Sequence, residues 1–174
     1  TTSDVLCDIG GITARSYTKE DVLPSLENCY NEGDITVLSL LNGSLEGGYR
    51  LLSCWAGGIV GAGNFNITAC ASVCDIRVSG ANIHYVGGVA GGITGALRDS
   101  CHRGEIVVSS QSSVMAGGVV GVLQSLEYYD GKIENLVIAL ERCYHVGLVC
   151  VRLADEPLSA AANYLAGGVV GYNM

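Results

Sequence analysis

Isoleucine and valine recur two residues apart at four places along this chain: Ile35 and Val37, Ile76 and Val78, Ile106 and Val108, Val149 and Val151. The residue between them changes freely, from Thr36 to Arg77, Val107 and Cys150. A period of two belongs to a strand with one buried face, and β-branched side chains suit a pleated surface. The pattern predicts four short strands, with Ile35, Ile76, Ile106 and Val149 turned inward in one ladder. Each pair closes a longer repeated element: ENCYNEGDITV at 27–37, TACASVCDIRV at 68–78, SCHRGEIVV at 100–108 and ERCYHVGLVCV at 141–151.

A second element alternates with the first. AGGIVG stands at 56–61, VGGVAG at 86–91, and AGGVVG at both 116–121 and 166–171, with a weaker copy, GGITA, at 10–14. The pairs Gly57-Gly58, Gly87-Gly88, Gly117-Gly118 and Gly167-Gly168 are separated by thirty, thirty and fifty residues. Self-similarity of this period means units that cannot bury their own faces and stack on their neighbours. Joined to a strand period, it predicts an all-β chain, a single β-solenoid over 1–174, with rungs roughly 4.8 Å apart. The glycine pairs are expected at corners, turning the chain through φ > 0 and letting adjacent coils approach closely. No G-x-G-x-x-G or G-K-[ST] suggests a phosphate loop.

Together, G-G-[IV]-V-G and N-C-Y-N-x-G-x-[IV] resemble the GLUG repeat of bacterial surface proteins, found in filamentous adhesins and in the non-catalytic part of M26-type immunoglobulin A peptidases. LENCYNEGDITV and the hexads AGGIVG and AGGVVG carry the resemblance, which covers about four repeats and nearly the whole chain. It implies a right-handed parallel β-helix of about four to five irregular coils, extracellular or on a bacterial cell surface, with no catalytic residue and no cofactor. Its function would be adhesion or that of a rigid stalk, with a host or cell-surface protein or glycan as partner. The chain departs from the pattern in its variable spacing, and in Cys74, which stands where other copies have Gly33, Gly104 and Gly147.

Composition narrows the alternatives. The chain has 174 residues, 49% hydrophobic and 15% charged, with 25 glycines and only two prolines. That is enough apolar material for a core and too little charge for disorder. A net charge of −8 with no basic run repels a phosphate backbone and argues against nucleic acid. The longest apolar run, 114–123, is half of what a membrane-spanning helix needs. No signal peptide is visible, and the start Thr1-Thr2-Ser3-Asp4 suits a processed secreted protein or a trimmed chain.

Parallel β-helices also include polysaccharide-active enzymes, so acidic positions matter. Asp34, Asp75 and Glu105 form a column just before the inward isoleucines, a weak calcium candidate that Leu148 interrupts in the fourth copy. Solvated turn residues explain the same column. No H-E-x-x-H or G-x-S-x-G occurs, and His102 and His145 follow the repeat cysteines in a manner that suggests stacking before catalysis.

The eight cysteines lack zinc-ligand spacing and suit a small-hydrophobe role. Cys7 and Cys54 both lie three residues before a glycine pair, while Cys29, Cys70, Cys101 and Cys143 form a second column with Cys101 one residue out of step. Disulfides Cys7–Cys54, Cys29–Cys70 and Cys101–Cys143 fit neighbouring coils, and so do free thiols. Free stacked thiols are preferred, because a ladder sets side chains parallel whereas a bridge needs a crossed dihedral. Cys150 falls on an outward position and is the candidate reactive thiol.

Two features remain. The C-terminal hexad is followed by almost nothing polar, so either more chain follows or another copy stacks head to tail, which would make a fibre subunit. Insertions after Cys29, after Gly117 and after Cys143 exceed a rung and must loop out. On or beside them lie Tyr49, Trp55, Tyr128, Tyr129 and Tyr164, candidate binding aromatics for a sugar or protein. For Trp55 and Tyr164, which flank hexads, covering a hydrophobic coil edge is the preferred role. Sequons at Asn42-Gly43-Ser44 and Asn66-Ile67-Thr68 matter only in a eukaryotic secretory pathway.

Overall fold

The computed structural model describes residues 7–16, 23–39, 53–80, 83–123, 139–153 and 162–173. Those residues form strands and turns without a helix. The strands come in sets of five and a final pair. The first set is β1 (Cys7–Gly10), β2 (Thr13–Ser16), β3 (Ser25–Glu27), β4 (Tyr30–Asn31) and β5 (Ile35–Ser39). The second is β6 (Ser53–Gly57), β7 (Val60–Asn64), β8 (Asn66–Thr68), β9 (Ala71–Val73) and β10 (Ile76–Gly80). The third is β11 (Ile83–Gly87), β12 (Ala90–Thr94), β13 (Ala96–Arg98), β14 (Cys101–Arg103) and β15 (Ile106–Ser110). The fourth is β16 (Val114–Gly117), β17 (Val120–Leu123), β18 (Ala139–Glu141), β19 (Tyr144–Val146) and β20 (Val149–Leu153), and the pair is β21 (Tyr164–Gly167) and β22 (Val170–Asn173).

Equivalent strands of successive sets pair in parallel, giving five sheets. Sheet A runs β1-β6-β11-β16-β21 and sheet B runs β2-β7-β12-β17-β22; sheets C, D and E take the third, fourth and fifth strands of each set. Strand order in every sheet follows the chain, the arrangement of a stacked β-solenoid. The register is the one the alternation predicts: Ile76 lies beside Ile35 and Ile106, and Ile106 beside Val149. Ile76 and Ile106 are fully buried while Arg77 between the inward residues is exposed.

There are two cores rather than one. Sheets A and E enclose the first, with Ile35, Ile76, Ile106, Cys54, Ala56 and Val86 among its members. The second lies against sheets B and C, with Ile59, Val60, Ile67, Val89, Leu97 and Val119. Each fully buried aliphatic side chain contributes roughly 1.5–3 kcal/mol relative to exposure.

The hexad joins these cores, and each of its positions has a separate task. In AGGIVG, Ala56 belongs to the first core and Ile59 and Val60 to the second. A Cβ on Gly57 would run into the Val60 carbonyl and come within 2.7 Å of the Gly91 nitrogen. A Cβ on Gly91, which closes the next hexad, would sit 2.7 Å from the Ala56 nitrogen, so sheets A and B meet backbone against backbone. The expected positive φ at the pairs is not found. None of the paired glycines has φ in the left-handed region; close approach alone requires them. Left-handed corners fall elsewhere, at Asn28, Ala69, Asp99 and Arg142, with φ of 55°, 53°, 51° and 51°.

Candidate functional site

The second glycine of each pair opens a space, and one column of sheet D fills it. A Cβ on Gly11 would lie 2.6 Å from Asn31 Cγ; on Gly58 it would meet Ser72, on Gly88 His102 and on Gly118 His145. Asn31, Ser72, His102 and His145 are register partners in β4, β9, β14 and β19. The result is a polar column inside an apolar stack. Its members stand two residues after Cys29, Cys70, Ser100 and Cys143, a common offset by which the sequence could have shown them.

Its hydrogen bonds fix the histidine tautomers. His102 Nε2 is 2.9 Å from the Cys74 carbonyl, which can only accept, so that nitrogen carries the proton. His102 Nδ1 is then an acceptor, and His145 Nδ1, 3.0 Å away, donates to it across nearly parallel rings. His145 Nε2 is left as a buried lone pair without a partner. Burial pushes His102 down to about 4, with His145 also lowering it against the pull of the Cys74 carbonyl. Burial lowers His145 as well. Ser72 Oγ turns to Cys74 Sγ at 3.1 Å rather than to His102, whose two nitrogens are both committed. A base needs an available nitrogen within about 2.6–3.2 Å of its hydroxyl, and this pairing does not supply one.

His84, like His102, is fully buried. It lies beside Cys54 in sheet A, and burial pushes it down to about 4 against a weaker pull from the Gly80 backbone. Burial, then Cys7, pushes Cys54 up to about 12, so thiol and imidazole face each other uncharged.

The cysteines divide by position. Cys7 and Cys54 are register partners. In the second column the backbone N–H of Cys29 reaches Cys70 Sγ at 3.4 Å. Cys101 pairs instead with Ala71 and Tyr144, and Ser100 takes the column position beside Cys70 and Cys143. The structure therefore stacks Cys7 on Cys54 and Cys29 on Cys70 but sets Cys101 out of line with Cys143. All eight cysteines are free thiols. Cys150 lies on the outward side of β20, half-buried, where Arg152 Nε donates to its sulfur at 3.2 Å.

The acidic column binds its own backbone. Asp34 Oδ1 accepts the Asp75 N–H and Asp75 Oδ1 accepts the Glu105 N–H, each at 2.8 Å. Arg77 bridges Asp75 and Glu105 at 3.1 and 3.4 Å. Among the described residues no three acidic, histidine or cysteine side chains converge as a metal site.

Of the candidate aromatics, Tyr49, Tyr128 and Tyr129 lie outside the described residues. Trp55 stacks on Tyr85 of the next set, ring centroids 3.9 Å apart and planes 18° from parallel, and its six-membered ring covers Gly92. One ring face is thus taken by Tyr85. Tyr164 points into the first core and its hydroxyl donates to the Ser110 carbonyl at 3.3 Å.

No family model, curated protein or solved structure matches the chain.

Proposed function

We propose that the chain is a non-catalytic module of a right-handed parallel β-solenoid, about four to five coils high and of GLUG-repeat type, carried on a bacterial surface or in secreted material. It serves adhesion or acts as a rigid stalk, with a host or cell-surface protein or glycan as partner. The observation that carries this reading is the unbroken parallel register from β1 to β21 in sheet A and from β2 to β22 in sheet B. Each set repeats the same contacts to both cores, and within the polar column His102 bonds to His145 and to the Cys74 carbonyl while Ser72 bonds to Cys74. Such a stack transmits force and holds a fixed length. At roughly 4.8 Å per strand, five stacked strands span about 20–25 Å. The test is to place the chain between two globular marker domains and measure their separation by small-angle scattering. One narrow separation supports the stalk role; a broad distribution ends it.

A second reading, a subunit that assembles end to end, is favoured by where apolar side chains are exposed. Ile12, Tyr30 and Leu38 lie in the first set, and Tyr144, Val146, Leu148, Leu153 and Tyr172 in the fourth set and final pair. Of the large exposed hydrophobics among the described residues only Val73 falls between them. Electron microscopy of the purified chain separates the readings, since fibres support the second and single particles the first.

A further inference from the structure

One inward row of sheet A carries chemistry that neither proposed role uses. Cys7, Cys54, His84, Val114 and Tyr164 are successive register partners in β1, β6, β11, β16 and β21. Cys54 and Val114 belong to the first core, and Cys7 and Tyr164 pack against it. His84 stands between Cys54 and Val114 and is therefore turned the same way. Cys54 and His84 are both completely buried, in a core otherwise lined by aliphatic side chains such as Ile76, Val78 and Ile106. Yet neither Nδ1 nor Nε2 of His84 has a hydrogen-bond partner. The Gly80 backbone is close enough to oppose, weakly, the lowering of its pKa by burial, but its geometry is not that of a hydrogen bond. Buried polar side chains are almost always bonded, as His102 is at both nitrogens. A leucine would fill the place of His84 without that cost.

A thiol and a neutral imidazole on adjacent rungs form a donor pair for one class of ion. The rungs are roughly 4.8 Å apart. A metal–sulfur bond of about 2.3 Å and a metal–nitrogen bond of about 2.0 Å, end to end, span about 4.3 Å. An ion between the two side chains is thus held from opposite sides. Zinc(II) wants four ligands in a tetrahedron, which this row cannot supply, because its donors lie along a line rather than round a point. Copper(I) is soft, takes thiolate and imidazole, and accepts two ligands in a line. Charge selects the same pair. One thiolate, one neutral imidazole and one Cu⁺ sum to zero, so the filled site brings no net charge into an apolar core, where a bare charge is costly. Two thiolates, from Cys7 and Cys54, would leave a negative charge there.

We propose that Cys54 and His84 form a two-coordinate copper(I) site inside the first core, with Cys54 Sγ as thiolate and one ring nitrogen of His84 as the second ligand. Binding replaces a proton: the Cys54 thiol, Cu⁺ and neutral His84 give a sulfur–copper–nitrogen unit and one H⁺, with no change of oxidation state. The other titratable groups on this core, among the described residues, are Cys7, Cys74 and Tyr164. Cys54 also feels Asp8, least of its influences after burial and Cys7. None of these groups is a cation, so none repels Cu⁺. The inference needs only the register of sheet A and is independent of the adhesion or stalk role.

The probe is copper(I) alone, delivered to the full chain without oxygen from an excess of a copper(I) chelator of known affinity. X-ray absorption of the first equivalent bound should show one sulfur and one nitrogen ligand. Its affinity should rise about tenfold per pH unit, because one proton leaves on binding, and the bound ion should raise the urea midpoint by mass action. Cys54→Ala and His84→Leu should each weaken this first equivalent by more than about a hundredfold, the most that a group outside the ligand set costs. Cys150→Ser should leave it unchanged. Circular dichroism checks that the Cys54→Ala and His84→Leu chains are folded; if either is not, the absorption spectrum and the proton count of the parent decide. Two sulfur ligands on the first equivalent, release of two protons, or full affinity in a folded His84→Leu chain overturns the site.

Discussion

Ser100 Oγ donates to the Arg98 carbonyl at 2.7 Å, and one set further on Cys143 Sγ makes the same bond to the Glu141 carbonyl at 3.2 Å. Cys70 repeats it to Thr68 at 3.4 Å. The column thus selects a small side chain that caps a left-handed corner through its own proton. A disulfide would remove that proton, and serine, which cannot form one, does the same work. Cys143→Ser should therefore stay within about 1 kcal/mol of the parent, whereas Cys70→Ala, which strips the donor, should cost about 1–3 kcal/mol. Urea unfolding measures both. Thiol titration under denaturing, non-reducing conditions should find the column cysteines free, and zero thiols would refute this account.

The corners themselves are strained. Ala69 and Arg142 occupy a left-handed conformation that costs an ordinary L-residue roughly 1–2 kcal/mol. Asn28 and Asp99, at the same position in other sets, tolerate it better through local side-chain bonding. Ala69→Asn should raise stability by about 0.5–1 kcal/mol and Ala69→Val should lower it by more than that, read as opposite shifts of the urea midpoint.

In the isoleucine ladder, depth decides the outcome. Ile76→Asp would bury an unpaired charge between Ile35 and Ile106 and should abolish cooperative thermal unfolding. Arg77→Ala, one residue on, removes only exposed ion pairs to Asp75 and Glu105 and should cost less than about 1 kcal/mol. Equal melting of Ile76→Asp and parent would refute the register.

Stability should fall in acid before the carboxylates titrate. His84 and His102 stay neutral in the folded chain down to about 4, while in the unfolded chain they bind protons below their ordinary 6.5. Between these values the unfolded state holds more protons, so unfolding becomes easier as pH falls. The loss amounts to about 3 kcal/mol for each histidine once pH reaches 4. Below that both states are protonated and this contribution levels off. Unfolding free energies at pH 7, 5.5 and 4.5 should show the slope, and His84→Leu should make it shallower. An unchanged slope would mean that His84 is not held neutral.

The ladder of Ile35, Ile76, Ile106 and Val149 was legible because alternation is a local signal that burial on one face imposes directly. The polar column was only half legible. His102 and His145 stood out by type, but Asn31 and Ser72 are ordinary turn residues until register sets them beside the histidines. Trp55 illustrates the limit from the other side. Its place before a hexad was plain, yet only the pairing with Tyr85 shows that a ring face is already taken. The glycine pairs were found but misread, since a glycine that turns the chain and one that admits a neighbour look the same in sequence.

That distinction separates two chemically identical changes. Gly88 and Gly168 both hold the second position of a glycine pair. A Cβ on Gly88 would collide with the His102 ring and the Gly118 carbonyl, and neither can withdraw, because the ring is fixed by Cys74 and His145 and the carbonyl belongs to the next strand set. Around Gly168 there is nothing within 4 Å. If these glycines were present for backbone freedom, alanine would act alike at both. Because neither has a left-handed φ, sterics alone should decide. Gly88→Ala should destabilise by about 3 kcal/mol or more, the upper range of overpacking in a close-packed interior. Gly168→Ala should stay within about 0.5 kcal/mol, as expected of a surface change that touches nothing. Paired urea titrations of the two variants give the answer, and similar losses at both positions would overturn the assignment of the second glycine to the histidine column.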